Sequence, residues 1–294
     1  MILEVKNLSV SFKMEDVISN PVRGVSFSIP EKGRVALVGE SGCGKSLTAL
    51  TIGGLIDRAE VKGEINFTKS DTRLAYIFQN PMQSLNPVMR VGAQIMEAFP
   101  KGISKKDKES EIFTLLEAVG LDKSAVKKYP CEFSGGQQQR IMIAMALAAR
   151  ADLLIADEPT TALDVTTQKE VLDLIEKIAN SRDMAVLFIT HNLGLVSEYS
   201  SYVNVMYAGS IIESGPVKEV LNAPRHPYTK GLIAAVPDLD APKDAPLSDI
   251  KGIVPSPWAW PQGCAFHPRC DHAIAECSSE DFKICRFMKN VPIV

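Results

Sequence analysis

Gly39-Glu40-Ser41-Gly42-Cys43-Gly44-Lys45-Ser46 is the stretch on which the fold turns. Its spacing is GxxxxGK[ST]. It follows the short apolar run Arg34 to Val38 and opens a helix-compatible segment from Lys45 to Ile56, the strand-turn-helix context that this pattern requires. Glycines let such a backbone curl so that successive N–H groups face a phosphate chain, with the helix N-terminus adding partial positive charge. Gly39, Ser41, Gly42 and Gly44 are therefore read as the cradle. Lys45 brings a full charge to the β- and γ-phosphates of a nucleoside triphosphate, and Ser46 offers a hydroxyl to Mg²⁺. Cys43 reads as a small filler.

Further along, Leu153-Leu154-Ile155-Ala156 is an apolar run suited to a strand buried on both faces, and it ends in Asp157-Glu158. Ligands of parallel α/β sheets bind at the carboxyl ends of their strands. Asp157 is placed to hold the Mg²⁺ shell, and Glu158, one residue on, to polarise an attacking water as general base. Taken alone, an acidic pair after a strand is as often a helix cap. Beside a phosphate loop the catalytic reading gains weight.

Around these two elements the chain organises itself. Ile2 to Phe12 and Val22 to Ile29 read as strands, and Ala185 to Ile189 as another buried strand reached through the helical stretch Thr166 to Ser181. That alternation indicates a parallel α/β sheet. Residues from about 86 to 150 have helical patterning throughout, as an inserted subdomain would. From Val236 the texture changes to a Pro-rich run containing Pro237, Pro242, Pro246, Pro255, Pro257 and Pro261. The expected organisation is a nucleotide-binding domain over 1–235 and a C-terminal extension over 236–294.

Bulk properties exclude several classes. The chain has 294 residues, 46% of them hydrophobic and 23% charged, which is the composition of a folded globular protein. A formal charge of −3 supplies no global attraction for nucleic acid. The longest apolar run found, Ile141 to Ala149, has nine residues, whereas a spanning helix needs roughly 20. The first residues lack a basic leader followed by a long apolar stretch, so the expectation is a chain that stays in the cytosol.

Cys264, Cys270, Cys277 and Cys285 cluster in the extension. A reducing compartment disfavours disulfides, so metal ligation or plain burial is expected. Structural zinc sites pair their ligands as C-x₂₋₄-C, which this spacing lacks, while four cysteines on irregular loops can ligate a 4Fe-4S cluster. The spacing favours iron and sulfur, with zinc or reduced, half-buried thiols as the alternatives.

A third element narrows the class. Ser134-Gly135-Gly136-Gln137-Gln138 resembles the signature motif of the ATP-binding-cassette (ABC) family, and it precedes a helix whose N-terminus can present N–H groups to phosphate. Gln79 after Leu74 to Phe78, Asp164 in Ala162-Leu163-Asp164, and His191 after Val186 to Ile189 match that family's Q-loop, D-loop and switch histidine, in order. The resemblance covers roughly residues 1 to 235. It implies a P-loop NTPase fold with a mixed sheet core, an antiparallel β-subdomain and the helical insert. It implies an ATPase whose two cassettes close head to tail, so that Ser134, Gly135, Gly136 and Gln137 of one complete the site of the other. Gln79 then senses the Mg²⁺ and the attacking water, His191 contacts the γ-phosphate, and Phe12 stacks on adenine.

Within the family, Phe78-Gln79-Asn80-Pro81-Met82-Gln83-Ser84-Leu85-Asn86-Pro87, Ala156 to Thr166, His226-Pro227-Tyr228-Thr229 and Gly263 to Cys270 resemble the peptide and nickel importers, and among them the D-type ATPases of oligopeptide and dipeptide permeases. That resemblance implies two transmembrane permease subunits, a second ATPase (an F-type paralogue, or a second copy of this chain in isolation) and an extracytoplasmic solute-binding protein. It places the chain peripherally on the cytoplasmic face of the cell membrane. Some members hold a 4Fe-4S cluster in the tail. Nickel or oligosaccharide import is the alternative cargo, and a soluble cassette ATPase acting on nucleic acid or ribosomes the alternative class. Against that class, no second cassette, coiled-coil insertion or basic surface is visible. A redox or metal sensor built on the cysteine tail is a third reading.

Overall fold

The computed structural model describes residues 1–15, 17–161, 163–236, 249–280, 282 and 284–288. Most of the expected domain boundary, including Pro237, Pro242 and Pro246, lies outside the described residues, as does Ala162 of the D-loop segment.

The N-terminal strands β1 (Leu3–Met14) and β2 (Val17–Ile29) run longer than their hydropathy suggests and form an antiparallel hairpin. Pro21 is tolerated within β2 because that strand is the edge of its sheet. The next strand, β3 (Arg34–Val38), leads through the glycine-rich turn into α1 (Lys45–Ile52). That helix stops four residues short of Ile56 because Gly53 and Gly54 end it. Gly54 takes φ +65° and donates its N–H to the Thr51 carbonyl at 3.0 Å. After it, β4 (Glu60–Phe67) pairs with β1 to complete a small sheet of order β2-β1-β4.

Beyond this, β5 (Leu74–Ile77) enters the main sheet, and the chain leaves it for α2 (Pro81–Ser84), α3 (Val91–Ala98), α4 (Lys105–Ala118) and α5 (Gly135–Ala148). It returns through β6 (Leu153–Asp157), α6 (Val165–Ser181), β7 (Ala185–Thr190), α7 (Leu193–Tyr199), β8 (Tyr202–Tyr207) and β9 (Ser210–Pro216). The main sheet has the order β5-β6-β7-β3-β8-β9, parallel from β5 to β8 with β9 antiparallel at its edge. Two short helices follow, α8 (Val217–Asn222) and α9 (Pro227–Ala234). No helix among the described residues is long and apolar enough to cross a membrane.

Three cores result. One lies under α3 to α6 and one face of the main sheet, with Ile95, Leu116 and Ile141 buried. A second fills the space between the two sheets. A third joins β8, α7, α8 and α9 to the tail through Phe266. From Asp249 onward the described tail holds only single 3₁₀ turns, His267–Arg269, Ala275–Ser278 and Arg286–Met288. Its order comes from docking, not from helices of its own.

His226 caps α9. Its Nδ1 accepts the Tyr228 N–H at 3.1 Å, and the residue is 3% exposed. Burial lowers its pKa from 6.5 to about 4. The unfolded chain therefore binds a proton between those values that the folded chain refuses, so stability is present above pH 6.5 and drains away as pH falls toward 4. The shift corresponds to on the order of 3 kcal/mol. Thermal melts from pH 7 to 4.5 are expected to show this loss, and the variant His226→Asn, which keeps a capping acceptor, is expected to flatten it.

Candidate active site

The site forms where β3, β6 and β7 end side by side. In the phosphate loop, Gly44 adopts φ +102°, a conformation that favours glycine, and a side chain there would meet the Pro21 carbonyl oxygen at 2.4 Å. Lys45 is buried. Its ammonium donates to the carbonyls of Gly39 at 2.7 Å and Glu40 at 3.0 Å. Ser46, on the first turn of α1, donates its hydroxyl to Asp157 Oδ1 at 3.0 Å, and Tyr76 donates to Asp157 Oδ2 at 2.8 Å. Ser41 and Gly42 stand exposed at the loop's crest, while Cys43 is buried in the core.

Beyond the end of β6 the backbone turns sharply. Glu158 has φ +44°, a left-handed conformation unusual for a residue with a side chain. Its N–H donates to the Ile189 carbonyl at 2.8 Å, and its carboxylate is caged by three groups. Oε2 accepts Gln79 Nε2 at 3.0 Å and the Thr161 hydroxyl at 2.8 Å, while Oε1 lies 3.1 Å from His191 Nδ1. Sequence reading gave Tyr76 and Thr161 no role. Their only signals are a hydroxyl inside an apolar strand and a threonine three residues after the glutamate.

The adjacent carboxylates have opposite electrostatics. Burial pushes the Asp157 pKa up, the Glu158 charge adds to that, and the Tyr76 and Ser46 hydrogen bonds only partly offset it. Burial also acts upward on Glu158, but hydrogen bonds from His191 and Thr161, with the charges of His191 and Lys45, outweigh it and hold its pKa below the usual value. Glu158 is thus kept ionised. Ser46 and Asp157 present hard oxygens side by side, which fits Mg²⁺, an ion that takes one or two protein oxygens and completes its shell with water and phosphate.

Other expected site residues lie elsewhere. Ser134 caps α5 in a reciprocal arrangement: its Oγ accepts the Gln137 N–H at 3.4 Å, and its own N–H donates to Gln137 Oε1 at 3.0 Å. Asp164 caps α6, accepting from the Thr167 N–H at 3.0 Å and the Thr167 hydroxyl at 2.7 Å. Gly136 abuts α6, for a Cβ there would meet Thr167 Cγ2 at 2.6 Å. Among the described residues, no hydrogen bond joins Ser134, Gly135, Gly136, Gln137 or Asp164 to the Lys45–Glu158 cluster. Phe12 lies on β1 opposite Ser19, half-buried against the core between the sheets.

The metal expectation for the cysteines finds no support in the geometry. Cys264, Cys270, Cys277 and Cys285 are free thiols that line one small pocket together with Phe266, Phe282 and Phe287. Burial, and then the nearby Cys285 and Cys277, push up the pKa of Cys264, and the same groups act on Cys270. Yet among the described residues no three thiol, imidazole or carboxylate groups converge closely enough to hold a metal ion. The arrangement supports neither the 4Fe-4S cluster nor zinc.

Residues 22–161 match the family model described as ABC transporter, and residues 212–277 match that of the oligopeptide/dipeptide transporter C-terminal region. The chain is 43% identical to the dipeptide transport ATP-binding protein DppD of Bacillus subtilis, over 94% of this chain and 88% of that one. It is 41% identical to DppD of Escherichia coli, over 95% and 91%. Among solved structures it is similar to a dimeric bacterial ABC transporter cassette, with a TM-score of 0.63 at 25% identity over 74% of this chain and 99% of that one.

Gly44 gives a direct test of the loop. In the variant Gly44→Ala the left-handed φ alone costs on the order of 1–3 kcal/mol, and the Pro21 carbonyl blocks relief by a simple shift. Affinity for a fluorescent ATP analogue is expected to fall at least about tenfold, the equivalent of 1.4 kcal/mol. Titration of the folded variant measures it.

Proposed function

We infer that this chain, which belongs to the ABC transporter family and to its branch carrying the oligopeptide/dipeptide transporter C-terminal region, hydrolyses ATP to drive peptide import through a membrane permease. ATP binding and hydrolysis belong to the family. The observation that carries the catalytic assignment is the caged Glu158 carboxylate, held by Gln79, Thr161 and His191 next to the Ser46–Asp157 pair.

In this reading the loop from Gly39 to Ser46 grips the triphosphate, with Lys45 exchanging its loop carbonyls for phosphate oxygens. Ser46 and Asp157 would hold Mg²⁺, which supplies positive charge to the phosphate oxygens. Glu158 takes a proton from the attacking water, a role for which its carboxylate is held in fixed orientation by Gln79, Thr161 and His191. His191 orients that carboxylate and offers its ring to the γ-phosphate side. Gln79, which follows β5, links the site to the helices between β5 and β6. Phe12 stacks on the base.

Ser134 and Gln137 are exposed, Gly135 lies beside Leu163 and Gly136 abuts α6, and among the described residues none is hydrogen-bonded to the Lys45–Glu158 cluster, which supports their acting on the nucleotide of a second cassette. The partner is an F-type paralogue or a second copy. Two permease subunits and a solute-binding protein complete the assembly, with the chain bound peripherally on the cytoplasmic face. Residues 1–235 form the motor and 236–294 the extension. Peptide cargo is supported by the relatives, which are named for dipeptide transport, and by the match over residues 212–277.

Two variants test the assignment in the reconstituted transporter. Glu158→Gln is expected to cut ATP turnover by about 10²–10⁴-fold, the usual contribution of a general base, with ATP binding retained. Lys45→Ala is expected to remove ATP binding itself, since Lys45 is the one basic residue in the Gly39–Ser46 loop. Radiolabelled ATP retention and phosphate release separate the two. Wild-type turnover in Glu158→Gln would refute the general-base role.

A further inference from the structure

Glu40, the second residue of the phosphate loop, has no part in the chemistry above, yet it is the most firmly held residue of that loop. Its carboxylate receives both arms of the Arg269 guanidinium, Nη1 to Oε2 at 2.7 Å and Nη2 to Oε1 at 2.9 Å. The Arg269 side chain is 5% exposed and that of Glu40 29%. Arg269 also donates from Nε to the Lys251 carbonyl at 2.7 Å and from Nη2 to the Ile250 carbonyl at 3.1 Å, and its guanidinium lies over the rings of Tyr207 and Phe266. Every one of these anchors except Tyr207 belongs to the C-terminal segment.

Such a planar, two-point pair fixes its partner in direction and rotation, which a single charge does not. The Glu40 N–H is also tied down, donating to the Tyr228 hydroxyl at 2.8 Å, and the Tyr228 ring packs against Phe266 at 5.4 Å. At the loop's other end the same segment reaches β2. Trp260 Nε1 donates to the Asn20 carbonyl at 2.9 Å, and the Asn20 N–H to the Pro257 carbonyl at 2.9 Å. Asn20 precedes Pro21, whose carbonyl sets the closest approach to Gly44. Residues 250–269 thus hold the start of the loop through Arg269 and Glu40, and the strand beside its other end through Asn20.

We propose that Arg269 is a positioning residue of the ATP site, holding Glu40 and with it the start of the phosphate loop in the geometry that binds the triphosphate. Two effects act together. The pair fixes the Glu40 backbone at the start of the loop, and it neutralises a carboxylate that would otherwise repel a polyanionic ligand a few residues away. The proposal rests on the loop being the ATP site, and it makes nucleotide affinity a property of the C-terminal segment as well as of the motor.

The test is a double-mutant cycle on the full chain, read as ATP dissociation constant by fluorescence titration and as KM and kcat in the assembled transporter. Arg269→Gln is expected to weaken ATP binding about tenfold or more, to raise KM to match, and to leave kcat at saturating ATP within about threefold. Arg269→Lys, which keeps the charge but not the fork, is expected to fall between. In a Glu40→Gln background, Arg269→Gln is expected to add nothing, because it acts through Glu40. Wild-type affinity in Arg269→Gln overturns the proposal, and so does an equal loss in both backgrounds. Should Arg269→Gln lose its cooperative melt, Arg269→Lys and Glu40→Gln carry the test, and unchanged affinity in both overturns it. Lys45→Ala serves as control: normal ATP binding there would refute the assignment of the loop, not the role of Arg269.

Discussion

Two carboxylates stand side by side at the end of a strand whose every residue is buried, and the rest of the site answers to that fact. Adjacent negative charges taken out of water destabilise the fold unless donors surround them. Here each is supplied from a different element. Ser46 and Tyr76 serve Asp157, and Gln79, Thr161 and His191 serve Glu158. The division produces different chemistry from like residues. Asp157, flanked by hydroxyls that can exchange for a metal, has its pKa pushed up by burial, while Glu158 is held ionised by its histidine and threonine.

Sheet order makes this possible. Because β3 lies between β7 and β8, and β6 on the far side of β7, the loops that leave the sheet after Val38, Asp157 and Thr190 start at one level. The register aligns Val38 with Thr190 and Asp157 with Ile189. Lys45, Glu158 and His191 therefore meet without any long reach, as expected at the carboxyl edge of a parallel sheet. The N-termini of α5 and α6 are instead capped by their own Ser134 and Asp164 and turned to solvent, with Val165 82% exposed beside them. A surface of polar caps and bare apolar side chain suits a facing subunit better than water, in keeping with the proposed pairing of cassettes.

Much of this was legible from residue order alone. The strand-loop-helix around Lys45, the buried strand ending at Asp157 and the helix after Ser134 carry strong local signals, because each is a fully apolar run or a glycine pattern with a single physical use. What escaped detection lacks such signals. The strand β4 alternates Val61, Ile65 and Phe67 with polar residues, but it is short of apolar positions, broken by Gly63 and mostly exposed, and β8 and β9 pass as a short run interrupted by Asn204 and Gly209. Tyr76 and Thr161 look like ordinary strand and turn residues until the fold brings them to the carboxylates. The left-handed turn at Glu158 has no signature at all, since it is imposed by the neighbouring strand through the Ile189 carbonyl.

The tail shows the same limit in reverse. Its four cysteines draw attention by their identity, while the arginine between two of them carries the connection to the site. A desolvated ion pair is a poor way to fasten one segment to another, because the energy of removing both charges from water offsets most of their attraction, and an apolar pair of similar volume would hold as well. The tail already has such apolar fastening in Phe266, packed with Tyr207 and Tyr228. What Arg269 adds to that docking is therefore orientation, applied to a carboxylate on the loop whose backbone N–H groups must face phosphate. An extension that merely decorated the motor would have no use for so costly a contact at that place.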